Sequence, residues 1–132
     1  MTELQDNFWY LLANLHGEQD EYRFDDDLHR LNRDSWNVWV SQLIRDDIYN
    51  EYFILTDIPE NGSGRHRYLL EQVSSLILGM GFPEPQLDAG IMRFDNLKFK
   101  KNTSFRGFVF PNNVDFSNSL FQGDAEFSNS IF

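Results

Sequence analysis

Cysteine is absent from this chain of 132 residues, so no disulfide framework braces it and no thiolate is available to a metal. Basic residues are scarce: 11 Lys and Arg stand against 21 Asp and Glu, a net charge of −10. A surface of that sign repels nucleic acid and membranes and draws basic protein surfaces. No apolar run approaches the roughly 20 residues of a membrane-spanning helix. The first residues, MTELQDNFWY, lack the basic and apolar regions of a secretory signal. These absences lead us to expect a cytoplasmic protein. The charge is also uneven. Residues 1–90 hold 17 acids and 6 bases, a balance of −11, whereas residues 91–132 hold 4 acids and 5 bases, a balance of +1.

Phenylalanine, in contrast, is abundant and regularly placed. It occupies Phe94, Phe99, Phe105, Phe110, Phe116, Phe121, Phe127 and Phe132, at intervals that alternate between five and six. The repeating unit joins one interval of each kind: FDNLKFKKNTS, FRGFVFPNNVD, FSNSLFQGDAE, then FSNSIF. A helix would need intervals of three and four, and a plain strand intervals of two. Fixed self-similarity marks a stacked coil. On short extended segments, residues i−2 and i point the same way, so each side contributes an inward pair before the chain turns. Four sides, or two units, make one coil, which places Phe94 over Phe116, Phe99 over Phe121, Phe105 over Phe127 and Phe110 over Phe132. The third position of each unit, Asn96, Gly107, Asn118 and Asn129, carries residue types that tolerate turn geometry.

This lattice resembles the pentapeptide-repeat family in its Phe-centred form, across residues 92–132. Small residues at i−2, namely Ser119, Ala125 and Ser130, fit the family pattern; Met92, Leu97 and Phe108 depart from it. A wider first coil, or a side chain turned into the neighbouring domain, would accommodate them. The resemblance implies a short right-handed quadrilateral β-helix of about two coils. Some family members present a long acidic, DNA-like rod to type II topoisomerases. Here the lattice carries +1, so any such mimicry has to come from residues 1–90.

Those residues read mainly as helices, giving an α+β fold class: a small acidic helical domain over 1–82, a connector over 83–91 and the β-helix over 92–132. Thr2 and Gln5 form a capping box ahead of a stripe of Phe8, Leu11, Leu12 and Leu15, which ends at Gly17. Phe24, Leu28 and Leu31 make a second, shorter stripe, and Ser35 caps a third of Trp36, Trp39, Val40, Leu43, Ile44 and Ile48. YFILTDI at 52–58 fits a helix end or a strand, and NGSG breaks it. A last helix carries Tyr68, Leu69, Val73, Leu76, Ile77 and Met80. The prolines of FPEPQLDAG stop it from continuing.

No catalytic constellation is legible in the sequence, and the expectation is a protein that is not an enzyme and needs no cofactor. His16, His29 and His66 lack metal-ligand spacing and read as surface or helix-end residues. Consecutive helical side chains diverge by about 100°, so Asp25, Asp26 and Asp27 read as a solvated face and not as a metal site. NGSGRHR has amides and arginines for a phosphate but not the ending of a nucleotide loop, and it reads as a linker. Trp36 and Trp39 read as core.

Function is therefore expected from surfaces. The leading expectation is a non-catalytic binding module or inhibitor whose acids Asp25, Asp26, Asp27, Asp46, Asp47 and Glu51 meet a basic protein that handles nucleic acid. A topoisomerase and a nucleic-acid-targeting defence complex inhibited by a phage-type protein are two versions of that partner. The alternative is a structural module that dimerises through its last coil, Phe127, Ser128, Asn129, Ser130, Ile131 and Phe132, or a fragment of a longer repeat protein.

Overall fold

A computed structural model describes residues 7–20, 23–43, 63–81, 91–99, 101–110, 113–123 and 125–127. Among the described residues, three α-helices precede six short strands: α1 (Phe8–Ala13), α2 (Asp26–Val40, continued by a 3-10 turn at Ser41–Leu43), α3 (Gly64–Gly79), β1 (Ile91–Arg93), β2 (Lys98–Phe99), β3 (Thr103–Ser104), β4 (Asn113–Asp115), β5 (Leu120–Phe121) and β6 (Ala125–Glu126). The class is mixed α and β.

The helix boundaries follow from their caps, and they correct the sequence reading. Helix α1 is capped by Asn7, whose side chain accepts from the Tyr10 N–H, and not by Thr2, which lies with Gln5 outside the described residues. The second and third stripes belong to one helix. Asp25 caps α2, and Ser35 sits inside it. Ser35 is buried, and its hydroxyl meets His16 Nε2 at 2.7 Å instead of starting a new helix. Leu31, counted on an apolar stripe, is 50% exposed. The GRHR run is the first turn of α3, capped by the Ser63 hydroxyl on the His66 N–H, and so is not a linker. Ile44, Ile48 and the segment 52–58 lie outside the described residues.

The strands pair as β1 with β4, β2 with β5 and β3 with β6, all parallel. Met92 faces Val114, Phe99 faces Phe121 and Thr103 faces Ala125, so every partner stands two repeat units further along the chain. These are three separate two-stranded parallel sheets that share one sequence offset. The expected phenylalanine stacks follow. Phe94 lies over Phe116 at 5.0 Å, Phe99 over Phe121 at 4.5 Å and Phe105 over Phe127 at 5.2 Å, each pair close to coplanar. Phe132, the expected partner of Phe110, lies outside the described residues. At the turns, Asn96, Gly107 and Asn118 have φ of 58°, 75° and 57°, the left-handed conformation that Asn and Gly bear at least cost. The turn around Asn96 also shows why a small residue suits i−2. Ser119 accepts from the Leu97 N–H at 3.1 Å and donates to the Phe94 carbonyl, so a second-rung hydroxyl closes the first-rung turn.

Helices and phenylalanine rungs share one hydrophobic core. Trp36 is fully buried at its centre, with rings of Trp9, Phe94, Phe108 and Phe110 at 5.4–6.1 Å. Phe108, too large for its i−2 site, packs against Trp36 and stacks on His29 at 5.9 Å. Its ring is thus turned toward the helices, as one of the two expected accommodations has it.

One face of α2 is fitted to the main chain of residues 106–109. His29 Nε2 lies 3.0 Å from the Arg106 carbonyl, and Trp36 Nε1 donates to the Val109 carbonyl at 2.7 Å. Asn37 donates to the Gly107 carbonyl and accepts from the Val109 N–H. Arg33 fills the gap between them: a Cβ on Gly107 would lie 3.0 Å from its Cδ, which explains glycine where the other turns carry asparagine. Asn32 does the same for the α1–α2 loop, accepting from the His16 N–H and donating to the Gly17 carbonyl. Buried amides that pair both their donor and their acceptor with main chain avoid the cost of an unsatisfied polar group. Every buried side-chain N and O among the described residues has a hydrogen-bond partner.

Candidate functional site

The acidic cluster expected to meet a partner lies at the start of α2. Asp25 is committed to the fold. Its carboxylate accepts from the Leu28 N–H at 3.1 Å, and its N–H and C=O both pair with the amide of buried Gln19. Asp26 and Asp27 occupy the first turn, where the helix dipole favours negative charge. Their side chains are 83% and 88% exposed, with loose ion pairs to Arg106 at 3.7 Å and Arg30 at 3.6 Å, contacts worth at most about 1 kcal/mol each. Together with Asp20, Arg23 and Phe24 the three aspartates line an open depression of about 650 Å³. Arg106 reaches over the Phe24 ring at 6.0 Å from its centroid. Asp46, Asp47 and Glu51 lie outside the described residues.

The expected association end of the lattice is less buried than its start. Phe94, Phe99 and Phe105 are buried, whereas Phe116, Phe121 and Phe127 are half-buried and Leu120 is 46% exposed. Ser128, Asn129, Ser130, Ile131 and Phe132 lie outside the described residues.

The histidines hold the fold together. His16 is exposed as expected, but His29 and His66 are buried, and each of the three ring Nε2 atoms meets a group on another element: Ser35, the Arg106 carbonyl and Ser41 respectively. Burial lowers the pKa of all three from the usual histidine range. Tyr10, whose hydroxyl donates to Glu18, has its pKa raised, first by burial and then by that bond. Among the described residues, no three His, Asp or Glu side chains could hold a metal ion, and no helix is long and apolar enough to cross a membrane.

A feature the sequence reading missed lies between α2 and α3. His16, Arg30, Arg33 and Arg65 border a groove of about 460 Å³ whose apolar lining includes Leu31, Leu69, Val73 and Leu76. Arg33 is anchored on the Asp34 carboxylate through Nε at 3.0 Å and Nη2 at 2.9 Å. The only legible signal was the 65, 69, 72, 76 spacing, a single stripe of α3; the arginines from α2 meet it only through packing. No family model, curated protein or solved structure matches the chain.

Proposed function

We propose that the chain is a non-catalytic protein-binding module that uses the acidic end of α2 against a basic protein surface, of the kind found on proteins that handle nucleic acid. The observation that carries this reading is the pair Asp26 and Asp27, whose carboxylates stand more than four-fifths exposed on the rim of a depression. They are held on a helix whose body is fixed to the phenylalanine rungs through Trp36 and Asn37. Carboxylates on a rigid support lose little entropy on meeting Arg and Lys, and such contacts raise the association rate and weaken with salt. A topoisomerase and a nucleic-acid-targeting defence complex are two targets of this chemistry. In this reading residues 92–132 form a right-handed quadrilateral β-helix of the pentapeptide-repeat type, supported by the constant pairing offset and the left-handed turn positions. The same reading assigns the protein to the cytoplasm, in keeping with the absence of cysteine.

The test is a pull-down from nucleic-acid-binding proteins, followed by titration of any captured partner with the D26K/D27K variant and with salt. Weaker binding in both arms supports the reading. A complex indifferent to charge reversal and to salt rejects it.

A second reading is favoured by the burial gradient of the rungs. The half-buried Phe116, Phe121 and Phe127 present an outer face shaped like the one they stack on, and a second copy related by a two-fold axis would cover it. Light scattering on the chain and on Leu120→Glu separates the two readings: a dimer dispersed by the substitution supports association through this face, and a monomer leaves the acidic surface as the functional feature.

A further inference from the structure

The groove between α2 and α3 is out of keeping with the rest of the helical region. Residues 1–90 contain only six basic side chains, all arginine, and three of them, Arg30, Arg33 and Arg65, border this one concavity, where Asp34 is the one acid among the described residues. Leu31 and Leu76, 50% and 45% exposed, face the groove from opposite helices. Burying a leucine is worth roughly 1.5–3 kcal/mol, so an uncovered pair beside three cations is surface that a partner of the right chemistry would stabilise.

We propose that this groove docks an acidic amphipathic helix of another protein. Arg65, Leu69, Gln72 and Leu76 line it from α3 and follow a helical period over three turns, about 16 Å at 1.5 Å per residue. A groove of that length, with Leu31, Leu69 and Leu76 set among polar groups, accepts the i, i+3, i+4, i+7 anchors of a helix. Its cations come from both walls, Arg30 and Arg33 from α2 and Arg65 from α3, so the matching ligand carries carboxylates on both flanks of its apolar stripe. Arg33 is already oriented by Asp34, and its stem is packed over Gly107, which lowers the ordering cost of binding. Arg65 has no ion-pair partner among the described residues and stands in the first turn of α3, where the helix dipole adds to its attraction for a carboxylate. The inference does not rest on the acidic-surface reading, although Arg30 also meets Asp27 at 3.6 Å, so Arg65→Glu alone, on α3 and away from that pair, separates the two.

The probe is a fluorescein-labelled Glu/Leu/Ala peptide of roughly 15 residues, long enough for marginal helicity, with leucines at i, i+3, i+4 and i+7. A scrambled peptide of the same composition is its control. Anisotropy is followed in about 0.15 M salt, where the Debye length of roughly 8 Å suppresses general repulsion from the acidic chain. The amphipathic peptide is expected to bind at least tenfold more tightly than the scrambled one. Arg30→Glu with Arg65→Glu should weaken it by at least a further tenfold. Glu at position 65 suits a helix N-terminus, so the melting temperature should hold while binding falls, and Leu76→Gln should weaken binding without a charge change. Equal binding of the two peptides, indifference to these substitutions, or capture of a small carboxylate such as 1-naphthoate in place of the peptide would overturn the proposal.

Discussion

The side-chain amide of Asn37 holds two points of one main-chain segment at once, donating to the Gly107 carbonyl at 3.1 Å and accepting from the Val109 N–H at 2.9 Å. It thereby acts as a strand edge contributed by a helix, in line with Trp36 on the Val109 carbonyl and His29 on the Arg106 carbonyl. Removing it leaves a buried N–H and a carbonyl without partners, at about 1–3 kcal/mol each. Asn37→Ala should therefore lower the stability to urea by about 2–6 kcal/mol. Asn37→Asp, which keeps the acceptor and loses the donor, should also destabilise. Equal midpoints for wild type and Asn37→Ala would show that the Asn37 bonds add nothing to what packing and the Trp36 and His29 bonds already provide.

The stacked rings are unequal in burial, and their substitutions should be unequal in cost. Phe99 is 1% exposed, and its stacking partner Phe121, at 4.5 Å, is half-buried. Phe99→Ala opens a cavity in the shared core and should cost about 3–5 kcal/mol, a large part of the whole stability of a small domain. Phe121→Ala removes the same ring from a site that solvent already reaches, so its cost should be clearly smaller. Chemical denaturation of both variants measures the difference. A larger loss for Phe121 would mean that the second rung is covered more completely than its exposure indicates.

What was legible in the sequence was whatever a single stretch of chain has to satisfy by itself. Rings at alternating five-and-six spacing, and Asn or Gly at the third unit position, are demands of a coil that turns at fixed intervals. The stacks and left-handed turns obey them. Groups that find partners across elements were not legible. Ser35 has the residue type of a helix cap, yet its hydroxyl meets His16 and α2 runs through it. Gln19, Asn32 and Asn37 look like solvated polar residues until packing brings a pair of main-chain groups to each. The same holds for the candidate sites. The aspartates were visible as a run, but not that Asp25 is spent as a cap. The groove was not visible because Arg30 and Arg65 are far apart in the chain and meet only where α2 packs on α3.

The buried histidines His29 and His66 make the fold sensitive to mild acid. Burial holds the pKa of both below the ordinary value; at His29 the nearby Arg106 and Arg33 add to this, while Glu126 and the bond to the Arg106 carbonyl oppose it. A lowered native pKa means that the unfolded chain takes up the proton first. Stability is therefore full above the ordinary histidine value of about 6.5 and declines as pH falls through it. The urea midpoint should drop between pH 7.5 and pH 5.5. His29→Gln, which keeps a donor for the Arg106 carbonyl and cannot titrate, should flatten the slope. Asp115, whose pKa is lowered chiefly by its bonds to Ser117, titrates below the ordinary carboxylate value and does not contribute in that window. A flat profile would show that protonated histidine is accommodated as easily in the fold as out of it.

Gly123 tests the spacing of the rungs most directly. It stands one coil above Lys101, and a Cβ built on it would lie 2.7 Å from the Lys101 carbonyl carbon and 2.8 Å from the Asn102 nitrogen. Both are main-chain atoms of the first rung, so neither can swing aside as the end of a side chain would. Its φ is not in the left-handed region, so strain of its own backbone does not enter, and any loss on Gly123→Ala comes from contact, set against the entropic gain of alanine. The rungs would have to move apart locally, at the expense of the β3–β6 pairing and the Phe105–Phe127 stack beside it, and overpacking of this kind costs about 1–3 kcal/mol. Gly64, at the start of α3 with no atom near its Cβ position, is the matched control, because alanine there relieves the entropic cost of glycine and should be neutral or stabilising. Thermal unfolding of the two variants decides the matter: equal and small shifts would mean that the two turns of chain are not in contact at this side, and a loss confined to Gly123→Ala would mean that they are.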